Sequence, residues 1–96
     1  MKIISNNRDL SKTLGSFKNI GFVPTMGGIH KGHISLIRRS IKTNKKTIVS
    51  IFINPKQFNN KKDFNSYPAN IKKDLVILKK IKKLDFVYIP EFVDIY

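Results

Sequence analysis

Two histidines, His30 and His33, stand three residues apart in the stretch Gly21 to His33, which reads GFVPTMGGIHKGH. Imidazoles set this way can donate hydrogen bonds to negative charge as it grows on a phosphate or a leaving group. The residues before them suit that task. Phe22 and Val23 supply a short apolar strand, Pro24 is expected to end it, and Gly27 and Gly28 let backbone come close to a ligand. His30 and His33 then fall on the first turn of the next helix, where backbone amides point at whatever anion sits there. The layout is that of a nucleotide site. A zinc pair is the rival reading, but helical zinc pairs prefer a four-residue spacing and need a third ligand, and no cysteine stands near. No metal site of the chain's own is expected. The Walker A sequence and the dinucleotide GxGxxG pattern are both absent.

A second block, Ser50 to Phe58, reads SIFINPKQF and carries Gln57, whose amide offers both a donor and an acceptor to a ligand bearing hydroxyl and carboxylate groups. Asn54 and Pro55 suit the shaping of a loop, and Phe58 suits packing beneath it.

Together these segments resemble a known family. PTMGGIHKGH is similar to the HxGH signature of the nucleotidyltransferase superfamily and, more narrowly, to the PTMGxLHxGH block of the pantothenate synthetases, also called pantoate:beta-alanine ligases. SIFINPKQF resembles that family's SIFVNPxQF, Tyr67 and Pro68 stand where it has Tyr-Pro-Arg, and Pro90 to Tyr96 resembles its PxxxxxY stretch. The resemblance runs in one register over nearly the whole chain. It implies ATP-dependent joining of pantoate to beta-alanine through a pantoyl adenylate, with AMP and pyrophosphate as by-products. It implies His33 and His30 as catalytic residues, with Met26, Gly27, Gly28, Ile29, His30, Lys31, Gly32 and His33 on the ATP side. Gln57, Pro24, Thr25, Met26 and Asn54 would hold pantoate and beta-alanine. Magnesium would arrive mainly on ATP, and a homodimer is the assembly the family points to. One departure stands out: Ala69 and Asn70 replace the family's Arg-Thr, which removes an arginine that Lys72 or Lys73 could partly replace.

The 96 residues make one small domain, short for an enzyme with two substrates and a closing lid. Residues 1–96 are therefore expected to be the N-terminal part of a Rossmann-like ATP- and pantoate-binding domain, with the family's C-terminal domain absent. The formal charge of +13 invites a nucleic-acid reading. The excess is mostly lysine, however, and Lys42, Lys45, Lys46, Lys72, Lys73, Lys79, Lys80, Lys82 and Lys83 lie on or near predicted helix surfaces, with few aromatics between them. A nucleic-acid partner is not expected. Cysteine is absent, which excludes disulfides and a thiol nucleophile, and neither a secretion signal nor a membrane-length apolar run is evident. Cytoplasm is the expected location.

Strands and helices alternate along the chain. Ile3 and Ile4 begin a short strand, and Asp9 to Phe17 a first helix whose end Gly15 blurs. Ile20 to Val23 is a strand, and the helix of His33 to about Thr43 buries Ile34, Ile37 and Ile41 while Arg38, Arg39 and Lys42 face out. Thr47 to Ile53 is a β-branched run suited to a strand covered on both faces. A polar loop, Asn54 to Tyr67, precedes a helix with Pro68 in its first turn and Ile71, Leu75, Leu78 and Ile81 as its apolar stripe. Phe86 to Ile89 is the last strand, ended by Pro90. The order predicts an α/β, Rossmann-like parallel sheet with flanking helices, part of an HxGH nucleotidyltransferase domain. In such a sheet both motifs follow successive strands and meet at their carboxyl ends. Two other function classes remain open: another HxGH nucleotidyltransferase with a different acceptor, and a non-catalytic basic module that binds nucleotide or nucleic acid.

Overall fold

In the computed structural model, residues 1–52 and 67–90 are described, with backbone alone for 67–70. The elements are β1 (Lys2–Ile4), α1 (Asn7–Ser16), β2 (Ile20–Thr25), α2 (Lys31–Thr43), β3 (Lys46–Ile51), α3 (Tyr67–Lys79) and β4 (Phe86–Tyr88). Among the described residues four strands form one sheet in the order β1-β4-β3-β2, every pairing parallel. The predicted α/β architecture is the one observed.

β3 lies inside the sheet, and its composition explains why. Thr47 through Ile51 are all buried, so the strand is covered on both faces. Side chains alternate across a strand, and here the two faces carry separate cores. Val49 and Ile51 join Val23, Val87, Ile37 and Leu78 beneath α2 and α3, with Ile34, Ile41, Leu75 and Ile81 packed around them. Ile48 joins Ile4 and Tyr88 on the opposite face, flanked by Leu10 of α1. Each of these fully buried aliphatic side chains contributes about 1.5–3 kcal/mol relative to exposure. Among the described residues the first core is the larger.

Among the described residues β2 is an edge strand, and its course corrects one expectation. Pro24 does not end the strand but pairs in register with Ser50, and β2 continues to Thr25 opposite Ile51. A proline is tolerated at an edge, where one side of the backbone has no ladder to complete. β3 ends at Ile51 rather than Ile53, and the Phe52 amide donates to the Thr25 carbonyl at 3.0 Å, which ties the ends of β2 and β3 together. α1 begins earlier than predicted because Asn6 caps it, its side chain accepting from the Asp9 amide at 2.8 Å. At the other end of the sheet the Asp85 carboxylate accepts from the Thr47 amide at 2.9 Å and pairs with Lys46 at 3.5 Å, which joins the start of β3 to the entry of β4. Among the described residues no helix is long and apolar enough to cross a membrane.

Candidate functional site at the start of the second helix

The site begins where β2 and β3 end. The Thr25 hydroxyl is buried and used in two directions: it donates to the Ser50 carbonyl at 2.9 Å and accepts from the Gly27 amide at 3.2 Å. Thr25 thus joins the two strand ends to the turn that follows. Gly27 and Gly28 both have positive φ, 87° and 68°, a conformation side chains disfavour. The turn they make drops Ile29 into the core, 7% exposed, while Met26 stays on the surface at 64%.

The same turn aims two consecutive amides at one carboxylate. Gly28 and Ile29 donate to the two oxygens of Asp74, at 3.0 and 2.9 Å. Asp74 is 5% exposed and comes from α3, one turn before the buried Leu78. It was not among the residues singled out from sequence. The signal was present as an acid between Ile71 and Leu75 on a face otherwise apolar, but only packing shows which amides it meets.

His30 and His33 cap α2 reciprocally. His30 Nδ1 accepts from the Gly32 amide at 3.0 Å, and His33 Nδ1 accepts from the His30 amide at 3.1 Å. The motif has the logic of a capping box, with imidazoles in place of the usual hydroxyl and carboxylate. Its ring centroids are 4.0 Å apart. A Cβ at Gly32 would lie 2.9 Å from His30 Cε1, so a side chain there would push the His30 ring away from its place in the cap. With Nδ1 accepting on both rings, the hydrogen-bond pattern assigns the proton of each neutral imidazole to Nε2. Burial pushes the His33 pKa below its ordinary value and the neighbouring His30 pushes the same way, while Asp74 acts in the opposite sense. A neutral His33 with an Nε2–H donor is the form favoured near pH 7.

The helix start therefore differs from the bare amide cluster expected of it. The amides of Gly27, Gly28, Ile29, His30 and Gly32 all donate within the chain. With those amides already used, the imidazole Nε2–H groups are the donors that an anion at this helix start could take. Lys31 is exposed beside the pair, and Pro24 is exposed on the sheet edge. Asn54 and Gln57, together with Pro55 and Phe58, lie outside the described residues. The side chains of Ala69 and Asn70 lie outside them as well. Among the described residues no group of three or more His, Cys, Asp or Glu is arranged to hold a metal ion.

Against known proteins, the family model described as pantoate-beta-alanine ligase matches residues 2–96. The chain belongs to the pantoate-beta-alanine ligase family. A pantothenate synthetase of Pseudothermotoga lettingae is 48% identical over 96 residues, covering 100% of this chain and 34% of that protein. One from Helicobacter pylori is 49% identical over 79 residues, which is 82% of this chain and 28% of the relative. The chain thus spans about a third of the length of the curated relatives it matches. Among solved structures, a pantoate-beta-alanine ligase of Francisella tularensis, in complex with beta-gamma ATP and beta-alanine, superposes with a TM-score of 0.80. It is 42% identical, over 100% of this chain and 38% of that one. The pantothenate synthetase of Thermus thermophilus superposes at 0.74 with 30% identity, over 100% of this chain and 34% of that one. This member of the ligase family therefore corresponds to the N-terminal part of its relatives and has their fold.

Proposed function

We propose that this chain carries the adenylation half of a pantothenate synthetase site, in which the pantoate carboxylate attacks the α-phosphorus of ATP and releases pyrophosphate. The amine of beta-alanine then displaces AMP from pantoyl adenylate to give pantothenate. The observation that carries the reading is the reciprocal histidine cap, which leaves Nε2–H groups of neutral imidazoles as donors at a helix start in a chain of this family. The ATP-binding complex of the Francisella tularensis ligase supports the nucleotide assignment.

In this reading His33 and His30 stabilise charge on the α-phosphate and the departing pyrophosphate. Met26, Gly27, Gly28, Lys31 and Gly32 form the ATP side around them, with Ile29 anchoring that segment from the core. Pro24, Thr25 and Met26 face pantoate, Thr25 chiefly by fixing the strand ends, and Gln57 and Asn54 orient pantoate and beta-alanine. Magnesium comes with the triphosphate, neutralising it. Much of the rate then arises from holding two anionic reactants in one orientation, an effect worth about 7–11 kcal/mol in well-oriented intramolecular reactions. The site works in the cytoplasm, in a protein that pairs as a homodimer.

Exchange of labelled pyrophosphate into ATP tests the proposal. Exchange that requires pantoate and is lost in His33→Ala is the expected result. Exchange driven equally by unrelated carboxylic acids overturns the acceptor assignment in favour of another nucleotidyltransferase, and a folded chain that neither exchanges nor binds ATP overturns the reading for this chain.

A further inference from the structure

Asp74 is a buried carboxylate with no part in the reaction steps above, yet its two oxygens meet the amides of Gly28 and Ile29 at 3.0 and 2.9 Å. Consecutive amides presented by a turn of left-handed glycines form a concave anion seat, and here the seat faces the buried carboxylate of α3. The chain fills that seat itself. We propose that Asp74 is a positioning residue: its carboxylate, carried by α3, locks the Gly27–Ile29 turn and so sets where His30 and His33 stand and on which side a ligand phosphate can approach.

Three features support this. The contact joins residues 46 and 45 positions apart, so it fastens α3 to the β2–α2 turn rather than restating local geometry. Both carboxylate oxygens are used on consecutive amides, which fixes orientation as well as distance, and hydrogen bonds to an ionised acceptor are the stronger kind. The turn also leads directly into the reciprocal cap, because Ile29 precedes His30, whose own amide is held by His33 Nδ1. A shift of the turn thus moves the first ring and, through it, the second. With its own carboxylate in the amide seat, the chain repels a second anion there and leaves the imidazole edge for phosphate. The proposal deepens the adenylation reading and rests on it for what the histidines do.

The test uses the 96-residue chain labelled with ¹⁵N and ¹³C, with Asp74→Asn as the near-isosteric variant, and needs neither ATP nor pantoate. Its result is therefore independent of whether pyrophosphate exchange succeeds. In Asp74→Asn the Gly28 and Ile29 amides are expected to exchange with solvent roughly ten- to a hundredfold faster, while those of Val49 and Val87 are unchanged. His33 provides the readout that separates positioning from the bare loss of a neighbouring charge. Loss of the Asp74 charge with the site intact lowers the His33 titration further, whereas a loosened site lets it rise toward the ordinary value of 6.5. Faster exchange together with a His33 titration that rises toward the ordinary value supports the proposal. Unchanged exchange, or faster exchange with a His33 titration that only falls, overturns it. If Asp74→Asn does not fold, acid titration of the unsubstituted chain decides: the Gly28 and Ile29 amide shifts should follow the Asp74 carboxyl carbon, and independent movement overturns the proposal.

Discussion

The two ends of α2 show how differently charge and geometry can be used. At its start, two histidines, two glycines and a carboxylate from another helix are joined by hydrogen bonds of 2.9–3.1 Å. Near its end, Arg38 and Lys42 line a groove of about 460 Å³ with Lys80, Lys82 and Lys83, around Ile41 and Ile81 and without an acid in its lining. The second region carries far more charge, but its cations sit on flexible, exposed stems. The first places donors at fixed points. Selective chemistry requires fixed donors, because the reorganisation has already been done in folding. The lysine-rich groove supplies a general positive field and solubility.

Three perturbations should sharpen that contrast. Asp74→Ala should have the largest effect, because it leaves two amides at a part-buried turn without their acceptor. A loss of about 2–4 kcal/mol is expected, read from the urea midpoint. If stability were unchanged, the fixed geometry at the start of α2 would not depend on α3.

An intermediate effect is expected from pH. His33 has a folded-state pKa below its ordinary 6.5, so between those two values the unfolded chain binds more protons than the folded one. This contribution to stability is complete above pH 6.5 and is lost as pH falls through the window down to the lowered folded value. Protonation of Nδ1 also removes the acceptor that holds the His30 amide. Urea midpoints measured from pH 7 to pH 5 should therefore decline, with a shallower decline in His33→Ala. Equal slopes in the two proteins would assign the acid sensitivity elsewhere.

The smallest effect should come from the charged end. Replacing Lys80, Lys82 and Lys83 with glutamine should leave stability within about 0.5 kcal/mol per site and leave ATP affinity unchanged. A large drop in ATP affinity would mean that the basic groove, rather than the histidine pair, recruits the nucleotide.

Much of the fold was legible because burial writes itself into local pattern. The run from Thr47 to Ile51 is β-branched and apolar since β3 is covered on both faces, and Ile34, Ile37 and Ile41 repeat at helical spacing since α2 has one buried side. Pro24 reads as a strand end because a proline ends most strands, whereas it pairs in register with Ser50 in a strand that lies at the sheet edge among the described residues. The histidine pair was legible as a motif, since a three-residue spacing is also the spacing of a reciprocal cap. Which nitrogen turns inward was not legible, because it depends on the path of the backbone through Gly27 and Gly28.

By itself, the sequence determined the alternation of strands and helices, the family and the residues at the start of α2, all of which depend on neighbours within a few positions. Tertiary structure decided the state of that site. It placed Asp74 on the Gly28 and Ile29 amides, filled the helix start with the chain's own acceptors and turned both Nδ1 atoms toward backbone. The physical reason is that hydrogen-bond partners are chosen by distance in space, and Asp74 lies 46 and 45 positions along the chain from the two amides it meets, a separation that only the packed fold closes.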